Sequence, residues 1–342
     1  MKKNNCDKIV LFAKPSGCTS FSSLFSIKRA FSTKKVGHTG TLDSFASGLL
    51  VVCCGSLTKL AGRITEFDKS YEAVIKFGEE TDTLECTGKL VAVAQLPLVS
   101  DLEKALAHFT GEFLQAPPAF SAIHVDGNRA SDLVRKGVAV EIPKRLVKVY
   151  SSEILEAKLN SSNRVEYARI RFSVSKGTYI RSLARDIGIN CSSRASLVGL
   201  LRTSIGHFEL KNAAGYDFLQ PFNIENAISN SKKLIDDGNL LKQNKINAFN
   251  IDENALENQI RQKSMPMNYL LAKDCGFSVA HVLDSFKNSF KNGATLSFSN
   301  FVEKKESFFT DFIAVFSQQE DFLGLVQNTG NFSLKYSFVL HD

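Results

Sequence analysis

Residues 36–55 read VGHTGTLDSFASGLLVVCCG. Gly37 and Gly40 bracket His38 and Thr39, a lone carboxylate follows at Asp43, and the apolar run LLVV fills 49–52. Glycine supplies the backbone freedom a tight turn needs. A short apolar run bounded by turn residues is the pattern of a buried strand. The segment therefore reads as a flexible turn, a single acid and an interior strand. Taken alone, Asp43 is equally a cap on a short helix before that strand. The pattern is not a phosphate cradle, since it has neither the Gly-Lys-Ser/Thr of a P-loop nor the GxGxxG of a dinucleotide fold.

Outward from this segment, strand-like runs recur: KIVLFA (8–13), YEAVIKFG (71–78), KLVAVAQ (89–95), LVKVYSSEILEAKL (146–159) and VEYARIRFSVS (165–175). Helical patterns intervene in SFSSLFSIKRAF (20–31), LEKALAHFTGEF (102–113) and IRSLARDIG (180–188). Strands and helices without strict alternation predict an α+β fold rather than a doubly wound sheet. From about 211 the chain turns to Asn, Lys, Asp and Ser, which predicts a polar linker or small helical extension over 211–245. The last stretch, 308–342, alternates like a hairpin or meander, so a small β-rich domain is expected over 246–342.

Composition narrows the class. The chain has 342 residues, 44% of them hydrophobic and 23% charged, in the range of a globular protein with room for two domains. No run approaches the roughly 18 apolar residues of a membrane span. The N-terminal apolar stretch IVLFA ends at Lys14 and Pro15, too short for a signal-peptide core, so a cytoplasmic protein is expected. Seven scattered cysteines form no CxxC pair. Free thiols in a reducing compartment are expected, with no disulfide framework and no metal site. Residues 1–210 carry 29 Lys and Arg against 20 Asp and Glu, whereas 211–342 carry 13 against 15. A basic surplus confined to one part of a chain points to a polyanionic partner there, nucleic acid being the commonest, or to a solvated Lys-rich surface.

The motifs then decide between these. GHTGTLDSFASGLLVV (37–52) resembles the GHTGTLDPxATGLL motif of the TruB family of bacterial tRNA pseudouridine-55 synthases. KPSGCTSFSSLFSIKRAF (14–31) is similar to that family's KPxGxTS segment, and DKSYEAVIKFGEETDTLECTGKL (68–90) to its KxYxxxxxxGxxTDTxDxxG block. QAPPAFSAIHVDGNRASDLVRKG (115–137) and VSKGTYIRSLARDIG (174–188) follow in family order, the second with ASLVGLLRTSIGHF (195–208) behind it. Five motifs in order between 14 and 208 are a specific signal.

The resemblance implies a pseudouridine synthase catalytic core over 1–210, built on a mixed or antiparallel sheet. It also implies an insertion at 115–145 that closes over RNA and a PUA-like C-terminal domain. The implied reaction detaches uracil from ribose C1′ and rejoins it through C5, with no net redox change and no hydrolysis, so no cofactor is expected. It implies Asp43 as the catalytic carboxylate, Arg181 as the cation that keeps it ionised and aimed, and Tyr71 as the ring that stacks on the base. By the same resemblance His38 occupies the space left by a flipped nucleotide, Gly37 and Gly40 admit the RNA backbone, and Leu200 lines the base pocket. Lys14, Lys176, Tyr179, Arg129 and Arg135 are the further expected substrate contacts. The implied partner is the T-arm of tRNA, with no membrane and a monomeric enzyme.

This chain departs from the family pattern at Ser44, Ser47, Ser131, Glu85 and Leu201, where proline, threonine, tyrosine, aspartate and arginine are usual; none is Asp43, Tyr71 or Arg181. Two rivals remain at the level of sequence: a synthase of the same chemistry aimed at another RNA, and a non-catalytic RNA-binding protein that kept the fold.

Overall fold

A computed structural model describes residues 6–121, 124–125, 127–136, 142–236, 252–308, 310–330 and 333–340. Parts of the expected 115–145 insertion and of the 211–245 linker thus lie outside the described residues. The strands are β1 (Lys8–Lys14), β2 (Val36–His38), β3 (Ser47–Cys54), β4 (Lys69–Phe77), β5 (Glu79–Thr81), β6 (Leu90–Val93), β7 (Gly111–Gln115), β8 (His124–Val125) and β9 (Asn128–Arg129). They continue with β10 (Arg145–Leu159), β11 (Val165–Val174), β12 (Ala195–Ile205), β13 (Phe208–Glu209) and β14 (Met265–Pro266). The helices used below are α1 (Leu24–Ala30), α2 (Ala61–Thr65), α3 (Val99–Phe109), α4 (Ala130–Arg135), α5 (Ile180–Asn190), α6 (Ile224–Asp236) and α7 (Glu253–Gln262).

The main sheet runs β14-β1-β3-β12-β4-β11-β10-β7, with β2 added to β3 and β13 to β12. Its strands pair antiparallel except β12 and β3, which meet in parallel at Leu201–Ser47 and Arg202–Gly48. The sheet is therefore mixed. On β1, Val10 and Phe12 face one apolar cluster with Ile27 of α1, Leu102 of α3 and Leu183 of α5. Ile9 and Leu11 face a second, with Leu57, Leu60 and Ile64. On β3, Leu50 and Val52 take the first side, Leu49 and Val51 the second. Both faces of the strand are covered, which explains why LLVV is continuous rather than alternating.

The chain ends in a four-stranded sheet of β15 (Ser278–His281), β16 (Phe312–Phe316), β17 (Phe322–Asn328) and β18 (Leu334–Val339), in that order. The last three form an antiparallel meander. Among the described residues no helix is long and apolar enough to cross a membrane. All seven cysteines are free, and five of them are buried.

Two expectations need correction, and one strand was not anticipated. The pattern at 102–113 reads as one helix, but the helix ends at Phe109. Gly111, at φ +111°, turns the chain into β7, which pairs with β10. The run 195–205 has no alternating pattern, yet it is the long central strand β12. Its polar Arg202 is buried on backbone carbonyls of the neighbouring segment. Residues 253–266, expected with the C-terminal domain, lie against the main-sheet part: α7 is tied to α1 by Arg29–Glu253 and Arg29–Glu257 ion pairs, and β14 extends the sheet beyond β1.

Candidate active site

Asp43 lies in the loop between β2 and β3, and the residues behind it are stapled to the segment that follows β1. Ser20 Oγ donates to the Leu42 carbonyl (3.1 Å) and accepts from the Leu42 amide (2.8 Å). The Gly17 amide donates to the Ser44 carbonyl at 2.7 Å, and Ser16 Oγ to the Phe45 carbonyl at 2.6 Å. The loop also turns on itself, the Ala46 amide donating to the Asp43 carbonyl at 3.2 Å. KPSGCTS is thus the frame that holds TLDSF in one conformation.

Lys14 completes the frame. It is fully buried, and its Nζ donates to the carbonyls of Pro15 (3.0 Å), Cys18 (2.6 Å) and Ser44 (3.4 Å). Burial lowers its pKa to about 7, with Cys18 and Asp43 working against the drop and Arg202 with it. Its three donor directions go to carbonyls beneath the loop.

Arg181 is placed by the first turn of α5, which Gln115 fastens to β7. The Tyr179 amide donates to Gln115 Oε1 at 2.8 Å, and Gln115 Nε2 donates to the Tyr179 carbonyl at 3.2 Å. Arg181 Nε meets Asp43 Oδ2 at 2.9 Å, and Nη2 meets Oδ1 at 3.1 Å. Its remaining donors reach the carbonyls of Thr83 (2.9 Å) and Phe120 (3.0 Å). The Arg181 side chain is 6% exposed and the Asp43 side chain 34%. Two parallel N–H···O bonds fix the plane of the carboxylate.

Tyr71 on β4 pairs in register with Phe172 and Arg202 and is buried in the same apolar cluster as Leu42, Phe45 and Leu200. His38 sits on β2 opposite Val52. Its Nδ1 is buried without a hydrogen-bond partner among the described residues. Burial, then the nearby Arg202 cation, holds its pKa below the usual histidine value, so the neutral ring is favoured.

Arg202 is the residue that sequence reasoning passed over. It is 2% exposed, donating from Nε to the Leu49 carbonyl (2.8 Å) and from Nη2 to the Gly40 carbonyl (3.1 Å). It thereby ties β12 to both ends of the Asp43 loop. The available signal was an arginine inside an apolar run, LLRT. Gly40 has φ +113°, which favours glycine, whereas at Gly37 an added Cβ would meet only Thr58 at an ordinary 3.9 Å. Glu85 is a second half-buried acid at the site. Burial first, and Asp43 next, raise its pKa to about 7, with Arg181 opposing, and Thr87 Oγ1 donates to its Oε1 at 2.8 Å.

The chain is similar to known proteins. The TruB family pseudouridylate synthase N-terminal domain matches residues 28–180. A Treponema denticola protein named tRNA pseudouridine synthase B is 39% identical over 321 residues, covering 88% of this chain and 87% of that relative. The chain belongs to the TruB family. A Borreliella burgdorferi protein of the same name is 46% identical over 205 residues, 60% of this chain and 71% of that one. Among solved structures, a Cbf5–Nop10–Gar1 complex contains a chain that matches 97% of this one at TM-score 0.60 and 21% identity, with 84% of that chain covered. An H/ACA RNP bound to a substrate RNA containing 2′-deoxyuridine matches 98% at TM-score 0.60 and 19% identity, with 85% covered. These two likenesses establish the fold.

Not every expected residue of this TruB-family chain joins the cluster. Leu200 packs beside Tyr71 but also lines a cavity of about 380 Å³ with Phe45, Ser47, Gly199 and residues of α6. Asp43, Tyr71 and Arg181 do not line that cavity, so the ion pair and not the cavity marks the chemistry. Lys176 is exposed and paired with Glu66; Arg135 is exposed at the end of α4, 3.3 Å from Asp132. Tyr179 is half-buried, and burial raises its phenol pKa. Arg129 lies on β9, and its side chain is outside the described residues.

Proposed function

We propose that this protein converts a uridine in the T-loop of tRNA to pseudouridine. The observation that carries this is the two-pronged Arg181–Asp43 pair at the centre of the TruB-family motifs. The reaction breaks the N1–C1′ bond and forms a C5–C1′ bond; C5 loses a proton and N1 gains one. An ionised, oriented carboxylate acts on the sugar or the base, as nucleophile or base. Asp43 is that group, and Arg181 aims it. Tyr71 supplies the apolar face on which the detached uracil turns without escaping. His38 takes the place of the extruded nucleotide.

Arg135 and Lys176 hold phosphates, and the C-terminal sheet adds contacts to the body of the tRNA. The names carried by the relatives from Treponema and Borreliella support tRNA as the substrate. The basic balance of residues 1–210 supports a polyanion on that part of the chain.

The test is to incubate the protein with an unmodified tRNA transcript and map pseudouridine by carbodiimide primer extension. One T-loop product is expected from wild type and none from Asp43→Asn, with tRNA affinity kept within about tenfold, because the amide has the shape but not the reactivity. Turnover by Asp43→Asn would remove Asp43 from the chemistry, and product elsewhere than the T-loop would redirect the enzyme to another site.

A further inference from the structure

Phe21 and Phe25 are 62% and 52% exposed, the only phenylalanines among the described residues with such exposure. Their rings meet edge to face, with centroids 5.9 Å apart and planes at 82°. Lys28 Nζ stands over both, 5.0 and 5.3 Å from the centroids. Phe25 and Lys28 lie three residues apart on α1, and Phe21 stands in the turn that leads into it. The other face of α1 carries Leu24, Ile27 and Ala30 into the core. The helix thus has a satisfied inner face, and the aromatic pair is an addition on the outside. An exposed aromatic cluster forgoes burial and marks a contact surface.

Its location and charge say what it contacts. Ser20, the neighbour of Phe21, makes both hydrogen bonds to Leu42, and Leu42 precedes Asp43. The pair therefore stands beside the reactive loop, on the segment that frames it. From Lys8 to Leu42 the chain has six basic residues and no acid. Arg29 is neutralised by Glu253 and Glu257, which leaves Lys28, Lys34 and Lys35 to face an anion. Aromatic rings interleaved with lysines suit a strand of nucleic acid, where any unpaired base stacks on the ring and the ammonium takes the adjacent phosphate.

We propose that Phe21 and Phe25, with Lys28, form a stacking surface for an unpaired base flanking the uridine held at Asp43. The proposal rests on the reading of the Asp43 site as a uridine-isomerising centre.

The chain contains no tryptophan, so Phe21→Trp introduces a single indole at this surface. Titration of that variant with unmodified tRNA transcript should quench and shift its fluorescence, with a saturation curve matching wild-type binding. The variant Phe21→Ala/Phe25→Ala should bind the transcript about tenfold more weakly, at unchanged dependence on salt, because stacking neutralises no phosphate. Its single-turnover rate at saturating enzyme should stay within about twofold of wild type. No quenching together with unchanged affinity overturns the proposal and leaves the surface to a protein partner. If wild type makes no pseudouridine while the quench and the affinity loss are both seen, the functional reading falls and the stacking surface stands as an RNA contact. If product forms normally and neither is seen, the surface alone is overturned.

Discussion

Arg181 reaches Asp43 with two nitrogens and uses its other donors on the carbonyls of Thr83 and Phe120, so the guanidinium is oriented before it orients anything else. Lysine keeps the charge but has no planar fork. Arg181→Lys should therefore lower the single-turnover rate by about tenfold or more with little change in tRNA affinity, read by quench-flow with excess enzyme. An unchanged rate would mean that charge alone suffices. Glu85 permits a second test, through pH. Its carboxyl titrates near 4.5 when unfolded and at about 7 in the folded protein. An acid whose folded pKa is raised contributes stability in full below the unfolded value and loses it as pH climbs from about 4.5 to 7. Glutamine does not ionise. The melting temperature of Glu85→Gln relative to wild type should accordingly rise by a few degrees between about pH 5 and pH 8. A difference that stays constant over that range would show Glu85 ionising as freely as in the unfolded chain.

At the scale of elements, the site depends on the crossing of β3 and β12, the one parallel pairing between strands of the main sheet among the described residues. Gly48 stands there at φ +115°, and a Cβ on it would come 2.4 Å from the Arg202 carbonyl oxygen and 2.5 Å from its nitrogen. Gly48→Ala should destabilise the protein by about 2 kcal/mol or more and slow catalysis, since the displaced strand carries Arg202 and its bonds to the Asp43 loop. Gly62→Ala is the control: it lies in α2, where a Cβ would meet nothing within 4 Å, and helix propensity favours alanine by about 0.5–1 kcal/mol. Equal melting temperatures for the two variants would deny the crossing its role. The same crossing explains what could be read from the chain in advance. The apolar run on β3 announced an interior strand because both of its faces are covered. The Asp43–Arg181 partnership, 138 residues apart in sequence, was readable only through the family motifs. β12 escaped the pattern because Arg202 fills a core position with polar groups, and only the three-dimensional arrival of the Leu49 and Gly40 carbonyls makes that position tolerable. Lys14 is a like case: nothing local in its motif reveals that three carbonyls surround its side chain.

At the scale of the molecule, the two sheets are not strung together by a free linker. Ile9, Leu11, Leu49 and Val51 of the main sheet share one apolar cluster with Met267, Phe277, Phe312 and Phe338, so the outer face of β1 and β3 is closed by the C-terminal part. The two parts are joined by apolar contact, whereas charge divides them, with a surplus of basic residues only before 211. The division of labour to be tested is shape and stability from the joint core, phosphate contacts from the first part. Lys34 and Lys35 are exposed beside β2 and have no ion-pair partner among the described residues. Each phosphate neutralised contributes about 0.7–0.9 to the slope of log affinity against log salt. Lys34→Ala/Lys35→Ala should lower that slope by about this amount for every phosphate no longer neutralised, and weaken tRNA binding most at low salt. Lys304→Ala/Lys335→Ala, two exposed lysines of the C-terminal part, should leave the slope where it is. The measurement is a set of tRNA titrations from low to moderate salt for wild type and both pairs. If the C-terminal pair flattens the slope and the N-terminal pair does not, the phosphates run across the C-terminal sheet, and the charge asymmetry of the sequence has another cause.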